Sequence, residues 1–221
     1  MPTYRGIKTS FVHIPKTAGS GIANRLWTAN QAFDETPLEI DKHESILSIQ
    51  GYLDKQSFGT YFKFAIVRNP YDKLVSWYHY YRDFWGNGKS ENPPCNPEHI
   101  AEFLKWDFDE YVANIKRYHK WDCHTEIACP HHMIAEQYKY IIGHGNLVLI
   151  DDLGRVEFLE EDWKRISERI GLEYNPLDRT NTSDHKPWPN YYKNETTARR
   201  VLGLYKKDFE YFDYDEVIKY I

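Results

Sequence analysis

A transition that occurs at two points constrains this chain most: an apolar, β-prone run ends in a short turn, and a helix begins immediately after it. The first lies at Phe11–Gly21, F-V-H-I-P-K-T-A-G-S-G, where the connecting loop is built of small residues and hydroxyls around a single lysine. Such a loop can turn its backbone N–H groups toward an anion, and the helix behind it adds the positive end of its dipole at the same point. Lys16, Thr17, Ser20 and the amides around Gly19 then converge on one oxyanion group. The loop is not a Walker A motif, because Lys16 precedes Gly19 and Gly21 instead of following its glycines. The second transition is Y-F-K-F-A-I-V-R-N-P-Y-D-K-L-V-S-W-Y at Tyr61–Tyr78. Here the strand ends at Arg68, Asn69 is placed as an N-cap, and Pro70 occupies the first helical position. Leu74, Val75 and Tyr78 form an apolar stripe suited to pack on the sheet. Ser76 falls in the second turn, near enough to the strand end to share a ligand with Arg68. A guanidinium fork and a hydroxyl together suit a phosphate monoester.

Strands are expected near residues 8–14, 61–67 and 146–151, and helices near 20–29, 43–54, 70–83, 156–170 and 194–208. This alternation predicts an α/β fold, a three-layer single domain with a central parallel sheet flanked by helices. The helix at 156–170 is the clearest, with Val156, Leu159, Trp163, Ile166 and Ile170 on one stripe and Gly171 as its C-terminal cap. A long polar and aromatic region, about 84–140, includes E-N-P-P-C-N-P-E-H and reads as an acceptor-binding cover. No repeat or linker marks a second domain, so one domain is expected over residues 1–221. At 221 residues and 41% hydrophobic content the chain can bury one sizeable core, and no run is long enough to cross a membrane. A net charge of −5 argues against broad binding to nucleic acid or anionic membranes, so the positive charge a nucleotide needs must be focused.

The two loops together resemble the signatures of the sulfotransferases that use 3′-phosphoadenosine 5′-phosphosulfate (PAPS), in particular the branch of carbohydrate (heparan sulfate 2-O- and 6-O-type) sulfotransferases. The resemblance covers most of the chain. K-H-E-S-I at Lys42–Ile46 is similar to that family's base-bearing helix, and G-R-V-E-F-L-E-E-D-W at Gly154–Trp163 to its late acidic helix. N-T-S-D-H-K at Asn181–Lys186, with the segment beyond it, is similar to the family's C-terminal part. The resemblance implies a P-loop-like fold in which Lys16, Thr17, Ala18, Gly19, Ser20 and Gly21 hold the 5′-phosphosulfate. It assigns Arg68 and Ser76 to the 3′-phosphate, with Lys186 added from the C-terminal loop, and leaves the desulfated 3′-phosphoadenosine 5′-phosphate as product. Eukaryotic members of the branch carry a Golgi anchor. The opening M-P-T-Y-R-G-I-K-T-S has no apolar signal region, which predicts a cytoplasmic protein if Met1 is the native start, and a Golgi lumenal one if an anchor has been trimmed.

Sulfuryl transfer needs a base for the acceptor hydroxyl and a cation at the departing phosphate oxygen, and it requires no metal. Lys16 is the expected cation. His43 is the expected base, since an imidazole with an ordinary pKa near ~6.5 is mostly neutral at physiological pH. Glu44 beside it is the alternative, because other branches use a carboxylate. On a helix the two side chains would point about 100° apart. His13 is expected either beside the nucleotide or as a hydrogen-bonded core residue. Cys123, His124, Cys129, His131 and His132 bring together metal-ligand types without paired C-x-x-C spacing, and zinc, a Cys123–Cys129 disulfide and ordinary loop residues all remain open. Trp77, Trp85, Trp106 and Trp121 suit either sugar stacking or core packing. Alongside a sulfotransferase acting on a carbohydrate or other hydroxyl, two alternatives stand: a small-molecule kinase, which would need Mg²⁺ ligands, and a non-catalytic nucleotide- or glycan-binding module, which would have no use for His43.

Overall fold

The computed structural model describes residues 3–33, 35, 41–86, 97–118, 134–178 and 185–217. They form two compact units, residues 1–68 with 136–181 and residues 69–135 with 182–221.

The first unit carries a four-stranded sheet in the order β1 (Thr3–Tyr4), β2 (Thr9–Val12), β3 (Phe62–Val67), β4 (Asp152–Arg155). β2, β3 and β4 run parallel, with Phe11 opposite Phe64 and Val67 opposite Arg155, and β1 adds an antiparallel edge. The fold is thus α/β with a sheet flanked by helices, as the alternation of elements predicts. Lys63 to Val67 are all buried, the pattern of a strand covered on both faces. α1 (Gly19–Asn30) contributes Ile22 and Leu26 to a core with Phe11, Phe64 and Ile66.

The third parallel strand falls later than expected. The apolar run at 147–150 does not form it: Val148 bridges Ile142 antiparallel, and the Gly143 and Leu149 amides donate to Leu147 and Ile141. That hairpin follows a short helix, which we number α7 (Tyr138–Ile141). β4 itself reads D-L-G-R, a poor strand by composition, and tertiary ion pairs make it possible. Asp152 is held by Arg165 and by Arg169 at 2.5 Å, and Asp162 accepts the Arg155 amide at 2.7 Å. Those partners lie on α8 (Leu159–Arg169), which a 3-10 turn at Val156–Phe158 precedes. The predicted stripe of this helix is present, with Trp163 and Ile166 buried and Val156, Leu159 and Ile170 packed around them. Gly171 ends it at φ 72°, the left-handed cap that glycine adopts at little cost.

The helix expected at 43–54 is replaced by two short ones. Ser45 caps α2 (Ile46–Tyr52) by accepting from Ser48 N–H. The chain then becomes extended at Leu53, and Asp54 caps α3 (Lys55–Thr60). His43 and Glu44 therefore lie in the loop before α2, so the helical spacing expected to separate their side chains does not apply.

The regular elements described in the second unit are all helices, α4 (Pro70–Gly86), α5 (Pro97–Phe103), α6 (Phe108–Tyr118) and α9 (Glu195–Phe212), with a 3-10 turn at Trp188–Tyr191. Asn69 caps α4 as predicted, accepting the Tyr71 amide at 2.9 Å. Leu74, Val75 and Tyr78, expected to pack on a sheet, lie instead in this unit's own core with Phe103, Tyr111, Val201 and Phe209. Trp77 is buried there and Trp106 packs against it, so both serve the core, while Trp121 and the Trp85 side chain lie outside the described residues. Among the described residues no helix is long and apolar enough to cross a membrane.

Candidate active site

Beyond Val12 the chain turns sharply. Ile14 N–H returns to the Val12 carbonyl, and Lys16 (φ 64°) and Ala18 (φ 62°) both adopt the left-handed conformation, which side chains other than glycine seldom take. Thr17 is fully buried, and its hydroxyl donates to the Ile14 carbonyl at 2.9 Å, closing the loop from within. α1 then opens at Gly19 with no side-chain cap and no acidic residue in its first turn. A helix start with this character presents backbone donors and a positive dipole end to an anion. Lys16 and Ser20 are half-buried around it and Ala18 is exposed. Gly21 is in tight packing instead, since a Cβ there would lie 3.1 Å from the Asp178 carbonyl.

Gly19 is required by its neighbour. The buried His13 ring covers its Cα so closely that a Cβ would stand 2.0 Å from Cδ2 and 2.1 Å from Nε2. That ring stacks on Phe11 at 5.3 Å and meets the His43 ring at 4.6 Å. Burial, followed by the nearby His43 and Lys42, pushes the His13 pKa well below the ordinary histidine value, so His13 is neutral. Of the two settings expected for His13, it occupies the buried one, in contact with the loop.

His43 Nδ1 lies 2.8 Å from the His13 carbonyl oxygen. A carbonyl only accepts, so Nδ1 carries the hydrogen, and in the neutral ring the lone pair is on Nε2. The Asp41 carboxylate fixes the backbone below it by accepting His43 N–H at 2.8 Å. Glu44 is half-buried, and its charge acts on the buried Tyr140, whose phenol is pushed up first by burial and then by Asp41 and Glu44.

Arg68 follows the last residue of β3 and joins the two predicted loops, with Nη1 donating to the Lys16 carbonyl at 3.3 Å. Its backbone is clasped by the fully buried Gln137: Arg68 N–H donates to Oε1 at 3.0 Å, and Nε2 donates to the Arg68 carbonyl at 2.8 Å. Ser76 is buried on α4 of the second unit. Lys186, also of that unit, is exposed, and its carbonyl accepts from His185 Nδ1. Asn181–Asp184 and the cluster Cys123, His124, Cys129, His131 and His132 lie outside the described residues.

A family model described as the sulfotransferase family matches residues 5–215, nearly the whole chain. The chain belongs to the sulfotransferase family. No curated protein and no solved structure matches it. The family is PAPS-dependent and includes carbohydrate sulfotransferases, and the sheet flanked by helices is consistent with its P-loop-like fold. The sulfotransferase therefore carries out sulfuryl transfer with PAPS donor chemistry, in place of the kinase and binding-module alternatives.

In this sulfotransferase the strand-end loop, Arg68 and His43 come together in one unit around Lys16 and His13. Gln137 was not foreseen. It stands 69 residues from Arg68, and an isolated glutamine at that distance carries no motif. Nor does a residue list reveal that the His13 contribution is a main-chain carbonyl.

Proposed function

We propose that this sulfotransferase transfers the sulfuryl group of PAPS to a hydroxyl of a carbohydrate, by in-line displacement and without a metal ion. His43 takes the proton from the acceptor hydroxyl at Nε2. Lys16 stabilises the charge that grows on the departing phosphate oxygen. The uncapped start of α1, with Lys16, Thr17, Ala18, Gly19, Ser20 and Gly21, surrounds the 5′-phosphosulfate, with Thr17 and Gly21 acting through backbone shape and packing. Arg68 binds the 3′-phosphate. Ser76 and Lys186 are assigned to the nucleotide on the sequence resemblance.

The observation that carries this reading is the His43 Nδ1 contact with the His13 carbonyl at 2.8 Å. It sets the tautomer a general base needs, and it ties that base to the residue packed on Gly19 of the donor loop. This contact favours His43 over Glu44.

The test is calorimetric titration with 3′-phosphoadenosine 5′-phosphate beside ADP and ATP, without added metal, followed by a screen of glycan acceptors for sulfation with PAPS. Micromolar binding that depends on the 3′-phosphate, and sulfation of a glycan, are the expected results. Equal binding of ADP would remove the 3′-phosphate assignment to Arg68. Sulfation confined to non-carbohydrate hydroxyls would remove the acceptor class.

A further inference from the structure

In the sheet, β2 pairs with β3 as far as Val12 opposite Ala65, and β4 pairs with it as far as Val67 opposite Arg155. Arg68 lies one residue past the end of that ladder, where a backbone N–H and C=O have lost their strand partners and would carry the cost of unmade hydrogen bonds. The Gln137 side chain meets both. Its amide presents an acceptor to Arg68 N–H and a donor to Arg68 C=O, the same pair of groups that a neighbouring strand would offer. Backbone polarity dictates which end of the amide faces which group, and Gln137 is fully buried while doing so. From this anchored backbone the Arg68 side chain reaches back to the Lys16 carbonyl.

We propose that Gln137 is a positioning residue for the donor site: it acts as a one-residue surrogate strand that aims the Arg68 guanidinium, and so sets affinity for the 3′-phosphate. The inference rests on the assignment of Arg68 to that phosphate made above. An arginine at a free strand end would sample several backbone orientations, and a bidentate contact with phosphate needs one. Gln137 touches no reacting atom in this scheme. Its effect is confined to the part of the nucleotide that Arg68 holds.

The discriminating variant is Gln137→Glu, which keeps size and shape. A carboxylate still accepts Arg68 N–H, but it has no hydrogen for the Arg68 carbonyl and sets an oxygen against it. Gln137→Met removes both bonds at similar volume. Calorimetry with 3′-phosphoadenosine 5′-phosphate and with ADP is run on the wild type, both variants, Arg68→Ala and the Arg68→Ala/Gln137→Glu double variant. Each Gln137 variant is expected to weaken the 3′-phosphorylated nucleotide about ten-fold, on the scale of one lost buried hydrogen bond, while ADP binding changes less than about two-fold. In the double variant the Gln137 change should add almost nothing to Arg68→Ala.

A merely structural role would weaken both nucleotides together, or leave the 3′-phosphate preference intact, and either result overturns the proposal. If the wild type itself binds ADP as well as the 3′-phosphorylated nucleotide, the assignment of Arg68 fails first, and that outcome is distinct. Should the variants not fold, amide and side-chain NH₂ resonances of the wild type decide the matter. Arg68 N–H and the Gln137 amide should shift with the 3′-phosphorylated nucleotide and not with ADP, and equal shifts would refute the coupling.

Discussion

Replacing Gly19 with alanine should destabilise the protein, against the usual direction for a helix. α1 begins at Gly19, and by propensity alone glycine to alanine in a helix gains up to about 1 kcal/mol. The new methyl would stand 2.0 Å from the His13 ring, however, where ordinary contact begins at 3.4 Å, so about 1.4 Å must be recovered. The ring has little room to withdraw, being buried, stacked on Phe11 and in contact with the His43 ring. Overpacking costs about 1–3 kcal/mol, and an approach this close falls in the upper part of that range, about 2–3 kcal/mol, which leaves a net loss of about 1–2 kcal/mol. For a chain of this length that lowers the melting temperature by about 2–8 °C. Gly203 on α9 is the matched control, because a Cβ there meets nothing within 4 Å. Gly203→Ala should raise the melting temperature by about 1–4 °C, from a gain of about 0.5–1 kcal/mol. Thermal unfolding followed by circular dichroism reads both signs, and titration with 3′-phosphoadenosine 5′-phosphate should show weakened binding in Gly19→Ala only. A Gly19→Ala protein as stable as the wild type, with unchanged nucleotide affinity, would refute the argument that His13 and the loop are interlocked.

Three further outcomes are expected. His43→Ala should lower turnover by about 10²–10⁴-fold with nucleotide affinity nearly intact, while Glu44→Ala should stay within a few-fold of wild type; the reverse pattern in steady-state sulfation assays would move the base to Glu44. Arg68→Ala should weaken 3′-phosphoadenosine 5′-phosphate by about 1.5–3 kcal/mol and leave ADP unchanged, as measured by calorimetry. His13 should make the fold acid-sensitive: its folded pKa lies below the unfolded value near ~6.5, so the folded state binds fewer protons, and its full stability is present above that pH. As pH falls from there toward the folded pKa, each unit removes up to about 1.4 kcal/mol, and His13→Phe should flatten this slope in urea melts at pH 7, 6 and 5. An unchanged slope in that variant would count against a neutral, buried His13.

Signals that act over a few residues were legible in the chain alone. The two strand–turn–helix transitions, the Asn69–Pro70 helix start, the stripe of α8 and the Gly171 cap each depend on neighbours within about two turns, and each is where the sequence places it. The turn from β2 into α1 was legible for the same reason, while the proposed role of His43 came from the resemblance to the sulfotransferase pattern. Tertiary structure decided the remainder. β4 is the polar run D-L-G-R because arginines on α8 neutralise Asp152, while the more β-like residues just before it turn into a hairpin. No window of sequence contains that exchange. His43 sits in a loop, with its tautomer set by a carbonyl 30 residues earlier, and Arg68 is held by a glutamine 69 residues later. Periodicity and propensity describe what a segment can do alone. Hydrogen bonds and ion pairs between distant segments form only once the sheet has brought them within about 3 Å, and those contacts bring His43 and Arg68 to the loop that carries Lys16.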